Sequence, residues 1–268
     1  MNLAGRTAVV TGAGGGIGRA IAVALAERRC HLALADIDEA GLSQTGKSVE
    51  NCAVDVSLHP LDVGDHDAVA AMPDAVAQRH AKVDLLFNNA GVALGGSFEE
   101  VSEIDFQWLF NINFWGVVRM SRAFLPVLRL SDAARIVNMS SLFGLISPPG
   151  QAAYAASKFA VRGFSNALRY ELEGSTVAVT VVHPGGVATS IARNARKRNG
   201  KSAAETEQAI DRVEKMLRMP PQKAGEIIVE GVAREKARIL VGMDAKVASV
   251  IERVMPVSYW RVLGRRLQ

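Results

Sequence analysis

Apolar residues fall along this chain in two alternating patterns. Short, mostly apolar runs occupy residues 7–10, 31–35, 56–61, 83–87, 135–139, 177–182 and 238–241. Between them, apolar positions recur every three or four residues over 17–27, 68–79, 103–128 and 151–172, the spacing of one helix face. The 103–128 stretch is long enough for two helices. Runs that are apolar throughout imply strands buried on both faces. Strand and helix in succession predict an α/β fold, a doubly wound parallel sheet of about seven strands with helices on both faces.

Ligands of such sheets bind at the carboxyl ends of the strands, so informative residues are expected directly after the apolar runs. A glycine-rich loop follows the first run, Asp36 the second, Asp62 the third, two asparagines the fourth and two serines the fifth.

No Pro-, Gly- or Ser-rich stretch divides the 268 residues, so 1–268 is expected to be a single domain. The chain is 49% hydrophobic and 22% charged, which argues against a disordered or fibrous protein. Its five histidines and two cysteines, Cys30 and Cys52, show no zinc spacing and no Cys-x-x-Cys pair, so no metal is expected. Sparse cysteine suits a reducing compartment, and the cytoplasm is the expected location. Residues 7–26 are small and apolar, but glycines and Arg19 interrupt them, a poor fit to a signal peptide. His183, ahead of Pro184, reads as a structural residue.

The net charge of +4 gathers in Arg193, Arg196, Lys197, Arg198 and Lys201, then in Arg253, Arg261, Arg265 and Arg266. No aromatic residue interleaves the first group, so nucleic acid is not an expected partner. Solvated faces explain both groups most simply.

Between the first strand and first helix stand Thr11, Gly12, Ala13, Gly14, Gly15, Gly16, Ile17 and Gly18. Glycines there permit a tight turn and let the backbone approach a pyrophosphate, whose charge the helix N-terminus meets. Asp36 lies 18 residues beyond Gly18, where a carboxylate accepts hydrogen bonds from ribose hydroxyls and repels a 2′-phosphate. Asp38 is the better placed of the two to cap a helix. Neither Ile37 nor Gly15 is basic, so NAD is the preferred cofactor and NADP the alternative.

Tyr154 and Lys158 stand four residues apart, on one face of a helix. A free phenol ionises near pH 10, roughly, and a neighbouring ammonium together with a positive nicotinamide ring favours the phenolate. Thr-Gly-x-x-x-Gly-x-Gly, Asp62-Val63, Asn88-Asn89-Ala90-Gly91, Ser141, the Tyr154/Lys158 pair and Pro184-Gly185-Gly186-Val187-Ala188-Thr189 occur in this order. Over residues 6–241 the chain thereby resembles the short-chain dehydrogenase/reductase family.

The resemblance implies a Rossmann-type fold and a catalytic tetrad of Asn113, Ser141, Tyr154 and Lys158. Ser141, 13 residues before Tyr154, is the serine that the family spacing selects over Ser140. It implies that Asp62 and Val63 contact adenine, and that Asn89, Ala90 and Gly91 floor the cofactor. Pro184, Gly185, Val187 and Thr189 would lie at the nicotinamide, and Lys158 would hydrogen-bond its ribose. Ser141 would hold the substrate oxygen and Asn113 a water linking Lys158 to solvent. A homodimer or homotetramer is implied as well. The expected reaction interconverts a secondary alcohol and a ketone, or a primary alcohol and an aldehyde, with Tyr154 as general base or acid.

Val92, Ala93, Leu94, Leu142, Phe143, Leu145, Ile146 and Gln151, with Val187 across, are expected to line a mostly apolar substrate side. Residues 186–219 are expected to cover the substrate, their basic run either meeting an anionic group or facing solvent. Residues 244–268 form a basic amphipathic tail carrying Val247, Val250, Ile251, Val254, Val257 and Trp260, interrupted by Pro256. Contact with a membrane surface is its less favoured reading beside packing on a neighbouring subunit. The rival functions are an NADP-preferring carbonyl reductase, a non-catalytic dinucleotide-binding regulator, and a nucleotide-sugar epimerase. For the last, the stretch after Thr189 leaves little room for a substrate domain.

Overall fold

The computed structural model describes residues 1–196 and 203–264. Its strands are β1 (Thr7–Thr11), β2 (His31–Asp36), β3 (Val56–Pro60), β4 (Leu85–Asn88), β5 (Ala134–Met139), β6 (Val177–Pro184) and β7 (Arg238–Val241). They form one parallel sheet in the order β3-β2-β1-β4-β5-β6-β7. The order reverses between β1 and β4, which opens a crevice above their carboxyl ends.

The helices are α1 (Gly16–Ala26), α2 (Glu39–Ser48), α3 (His66–Ala77), α4 (Glu103–Phe110), α5 (Gly116–Leu128) and α6 (Ala152–Glu171). They continue with α7 (Ala203–Met216), α8 (Pro221–Ala233), α9 (Met243–Val254) and α10 (Tyr259–Leu263). β1 shows why both faces are covered. Ala8 and Val10 pack with Ile21, Leu25, Ile228 and Val229 of α1 and α8, while Val9 joins Met72, Val76, Phe124 and Leu128 of α3 and α5 on the other face.

β3 departs from the expected apolar run. It is one of the two edge strands, Leu58 is 42% exposed, and Ser57 joins His59 and His80 through its hydroxyl. The fourth run begins two residues later than its apolar pattern, because Asp84 is withdrawn to bind Arg6, the Thr7 N–H and the Ser131 hydroxyl. α3 starts at His66, where the Asp65 carboxylate caps the Asp67 and Ala68 N–H groups. The apolar pattern passes over α2, which buries little beyond Leu42. It also passes over α8, whose Gly225 lies so close to Ala20 of α1 that a Cβ would stand 2.6 Å from that backbone. Between α4 and α5, residues Asn111–Trp115 make a π-helical turn. No helix among the described residues is long and apolar enough to cross a membrane.

Candidate active site

Thr11 organises the end of β1. Its hydroxyl donates to the Phe87 carbonyl at 3.2 Å and accepts from the N–H groups of Asn89 and Ala90, each at 3.0 Å. The Asn89 amide donates back to the Thr11 and Gly12 carbonyls, fastening the β4 end to the glycine loop. Gly12 has φ +66, and a side chain there would strike the Ala90 backbone. Gly15 has open space around it and caps α1 without a side chain, so no side chain takes the first N–H groups of that helix. An N-terminus of this kind fits a pyrophosphate.

Asp36 closes the far side of the loop. Its carboxylate accepts from Gly14 N–H at 2.7 Å and Asp38 N–H at 2.9 Å. A carboxylate has about four lone-pair positions, so two remain for a ribose. Asp38 performs the capping of α2, accepting from Gly41 N–H at 3.0 Å. Arg19 spans the same corner, donating to the Gly14 and Gly41 carbonyls, Gln44 and Thr45. Asp62 holds Gly64 N–H at 2.7 Å, and Val63 packs against Gly116 at the start of α5.

The four tetrad positions converge at the ends of β4 and β5. Ser141 accepts Phe143 N–H at 3.1 Å, and its hydroxyl faces the Tyr154 phenol closely enough to lower the phenol's pKa. Lys158 is buried, lies 5.7 Å from the centre of the Tyr154 ring and donates to the Met139 carbonyl at 3.2 Å. Asn113 is buried in the π-helical turn. Its amide is taken up by the Val92 N–H at 2.8 Å, the Val92 carbonyl at 3.0 Å and Ser157 at 3.3 Å. Gly91 stands between them: a Cβ would come within 3.1 Å of Asn113 Oδ1 and 3.3 Å of Lys158 Nζ.

Sequence reasoning did not single out two supports of this cluster, Asn138 and Ser157. Asn138 links Asn88 on β4 to Ser165 on α6, and Ser157 ties Asn113 to the Tyr154 carbonyl. Polar residues inside apolar runs are the signal for such ties, since a buried amide requires partners.

The sequence model of the short chain dehydrogenase family matches residues 6–200. The chain belongs to the short-chain dehydrogenase family. SadH of Mycobacterium tuberculosis, named only as an oxidoreductase, is 44% identical to this dehydrogenase over 262 residues, spanning 97% of this chain and 94% of SadH. A short chain dehydrogenase/reductase from Burkholderia phymatum in complex with NAD superposes with a TM-score of 0.87 at 31% identity, covering 95% of each chain. An alcohol dehydrogenase from Thermococcus sibiricus complexed with 5-hydroxy-NADP gives a TM-score of 0.67 at 28% identity, covering 81% of this chain and 92% of that one. This dehydrogenase is thus an oxidoreductase of a family that uses nicotinamide dinucleotides.

Burial sets the electrostatics of the pair. Burial raises the Tyr154 pKa, and the facing Ser141 hydroxyl offsets this only in part. Burial also lowers Lys158 to about 8. Desolvation of the charged form is the leading cause for each group. Behind them, His183 donates from Nδ1 to the Ser141 carbonyl at 3.0 Å, since a carbonyl can only accept. Burial pushes His183 down to about 4, so it is neutral, a structural support of the serine loop.

The substrate side of the dehydrogenase is narrower than its sequence suggests. Leu94, Leu145, Ile146 and Val187 are packed in the core rather than lining a cleft. Val92, Ala93, Leu142, Phe143 and Gln151 stay half-buried. Phe143 meets the Tyr154 ring edge-on, with centroids 6.1 Å apart. Pro184, Gly185, Val187 and Thr189 extend from β6 toward the glycine loop, where a Cβ on Gly16 would lie 3.0 Å from the Thr189 methyl.

The basic run beyond Thr189 is engaged with acidic residues. Arg193 pairs with Glu214 at 2.7 Å and Glu207 at 3.5 Å. Arg196 pairs with Asp105 at 3.0 Å and lies 4.8 Å over the Trp108 ring of α4. Neither cation is held out for an anionic substrate; Lys197, Arg198 and Lys201 lie outside the described residues.

Proposed function

We propose that this dehydrogenase interconverts a hydrophobic secondary alcohol and its ketone, or a primary alcohol and aldehyde, with NAD(H) preferred and Tyr154 as general acid and base. The observation that carries this reading is the convergence of Asn113, Ser141, Tyr154 and Lys158 beside a glycine loop whose helix N-terminus has no side-chain cap. A non-catalytic regulator would have no need of that convergence.

In this reading Gly12, Gly14, Gly15, Gly16, Ile17 and Gly18 hold the pyrophosphate, Asp36 the adenosine ribose, and Asp62 with Val63 the adenine. Asn89, Ala90 and Gly91 form the floor, Pro184, Gly185, Val187 and Thr189 receive the nicotinamide end, and Lys158 takes its ribose. The bound dinucleotide supplies a hydride acceptor for oxidation and a hydride donor for reduction.

The residues of the chain handle the proton. In reduction Tyr154 donates its phenolic proton to the substrate oxygen while Ser141 holds that oxygen by a hydrogen bond; in oxidation Tyr154 takes the proton back. The phenol that burial leaves protonated is suited to the acid role. A lysine poised near neutrality can lend charge to the phenolate when the base is required. The Asn113 amide is held by Val92 and Ser157, and in this reading Asn113 holds a water that links Lys158 to solvent.

Asp36 supports NAD, because a 2′-phosphate would face a carboxylate already holding the Gly14 N–H. Arg19 at the same corner supplies the rival reading, preference for NADP, though its guanidinium is hydrogen-bonded to the loop and α2. The half-buried Leu142, Phe143 and Val92 favour an apolar small-molecule substrate. Residues 1–268 are read as one domain, with 186–219 covering the substrate and 244–268 a basic tail.

Titration with NADH and NADPH on wild type and Asp36→Ala tests the assignment. Tighter NADH binding, with the preference lost in Asp36→Ala, is expected. Equal or tighter NADPH binding by wild type overturns the cofactor preference, and no binding of either overturns the oxidoreductase mechanism.

A further inference from the structure

The stretch at the nicotinamide end of the site is fastened from both sides, and both fastenings come from beyond residues 6–200, the part that the family model matches. On one side, Met219 N–H donates to the Gly186 carbonyl at 3.0 Å, and Ala188 N–H donates to the Met219 carbonyl at 2.8 Å. On the other, Gly185 N–H donates to the Val241 carbonyl at 2.9 Å, and Gly186 N–H donates to the Asp244 carboxylate at 2.6 Å. Asp244 stands in the first turn of α9, where the second carboxylate oxygen accepts Ala245 N–H at 2.9 Å and the helix dipole favours its charge.

Two glycines make room for that carboxylate. A methyl group at Gly185 would overlap both of its oxygens, and one at Gly242, where φ is +101, would overlap one of them. Gly185 and Gly242 lie 57 residues apart in sequence but bracket one side chain. The same C-terminal segment touches the serine loop separately, through Tyr259, whose hydroxyl accepts Ser147 N–H at 3.0 Å.

We infer that Asp244 is a positioning residue for the segment Pro184–Thr189, holding the Gly186 peptide so that Thr189 is presented over the glycine loop. This rests on the reading of that segment as the nicotinamide end of the site. Asp244 touches neither substrate nor cofactor in this account. Its effect passes through the Gly186 N–H, and it should act on dinucleotide binding more than on the chemical step. Tyr259, bonded to the other loop, should act on substrate instead.

The test compares Asp244→Ala, Asp244→Asn and Tyr259→Phe in the full chain, reading melting temperature, NADH dissociation constant, and kcat and KM separately. Asp244→Ala is expected to weaken NADH binding about fivefold to tenfold, the scale of one typical net hydrogen bond, with the pH profile of kcat unmoved. Asp244→Asn keeps one acceptor oxygen but loses the charge, and should weaken NADH binding by a smaller amount, about threefold. Tyr259→Phe should leave NADH binding unchanged and raise the substrate KM.

Unchanged NADH binding in a folded Asp244→Ala protein overturns the inference, as does a lowered melting temperature with no effect on binding. Should Asp244→Ala not fold, Asp244→Asn decides: a measurable loss of NADH affinity supports the assignment and none overturns it. Failure of the wild type to bind NADH is a different result, because it removes the functional reading on which the inference stands.

Discussion

Lys158 Nζ lies 5.7 Å from the centre of the Tyr154 ring, one helical turn along α6, and gives its hydrogen bond to the Met139 carbonyl at 3.2 Å. The ammonium is therefore buried beneath the end of β5 with a neutral acceptor as its hydrogen-bond partner. That placement costs stability and leaves the charge available to the site above it.

The cost is measurable as a pH dependence. Lys158 is lowered to about 8 in the folded protein, while an unfolded lysine titrates near 10.4. Between these values the unfolded chain binds a proton that the folded chain does not, so folding stability rises with pH across the window and the full penalty is felt below it. Lys158→Met should abolish this rise and stabilise the cofactor-free protein at neutral pH by about 3 kcal/mol, as an order of magnitude. Urea unfolding of both proteins between about pH 7 and 9.5 checks it, a range below the point where Tyr154 contributes the opposite trend. Parallel profiles for the two proteins contradict the assignment.

Gly91 separates Asn113 from Lys158, and it is exposed, so filling it should damage function without unfolding the chain. Gly91→Val is expected to lower kcat/KM by about a hundredfold, the scale of a small misplacement of reacting groups. Its melting temperature should stay close to wild type. Full activity in the variant contradicts the placement of the pair.

Arg196 joins the segment after Thr189 to α4 through Asp105 and the Trp108 face. Such exposed pairs stabilise by under about 1 kcal/mol, so Arg196→Ala should leave global stability nearly unchanged. If residues 186–219 cover the substrate, the variant should raise the substrate KM severalfold while NADH affinity stays constant. Steady-state kinetics with both substrates varied separates these effects.

The sheet was legible because its inner strands carry apolar residues on both faces, as burial between two helix layers demands; β3, at one edge, loses that signature at Ser57 and His59. The glycine loop and Asp36 were legible as candidates because each follows a strand, and Tyr154 with Lys158 because they share a helix face; Ser141 was picked over Ser140 only by the family resemblance. Asp38 was rightly separated from Asp36 by its capping position. Asp244 was not legible, since nothing local in Gly242-Met243-Asp244 says that Gly186 will be its partner. The inward packing of Leu94, Leu145 and Ile146 was equally hidden, because a leucine lining a cleft and one in a core look alike in sequence. The raised Tyr154 pKa required knowledge of burial, which spacing alone does not carry.

The most direct test of the account is the rate of NAD reduction with a panel of hydrophobic secondary alcohols, measured for wild type and Tyr154→Phe alongside NADH binding. Wild-type turnover is expected, with a loss of about a hundredfold to ten-thousandfold in kcat for Tyr154→Phe and NADH affinity retained. Turnover by Tyr154→Phe at the wild-type rate would contradict Tyr154 as the acid and base.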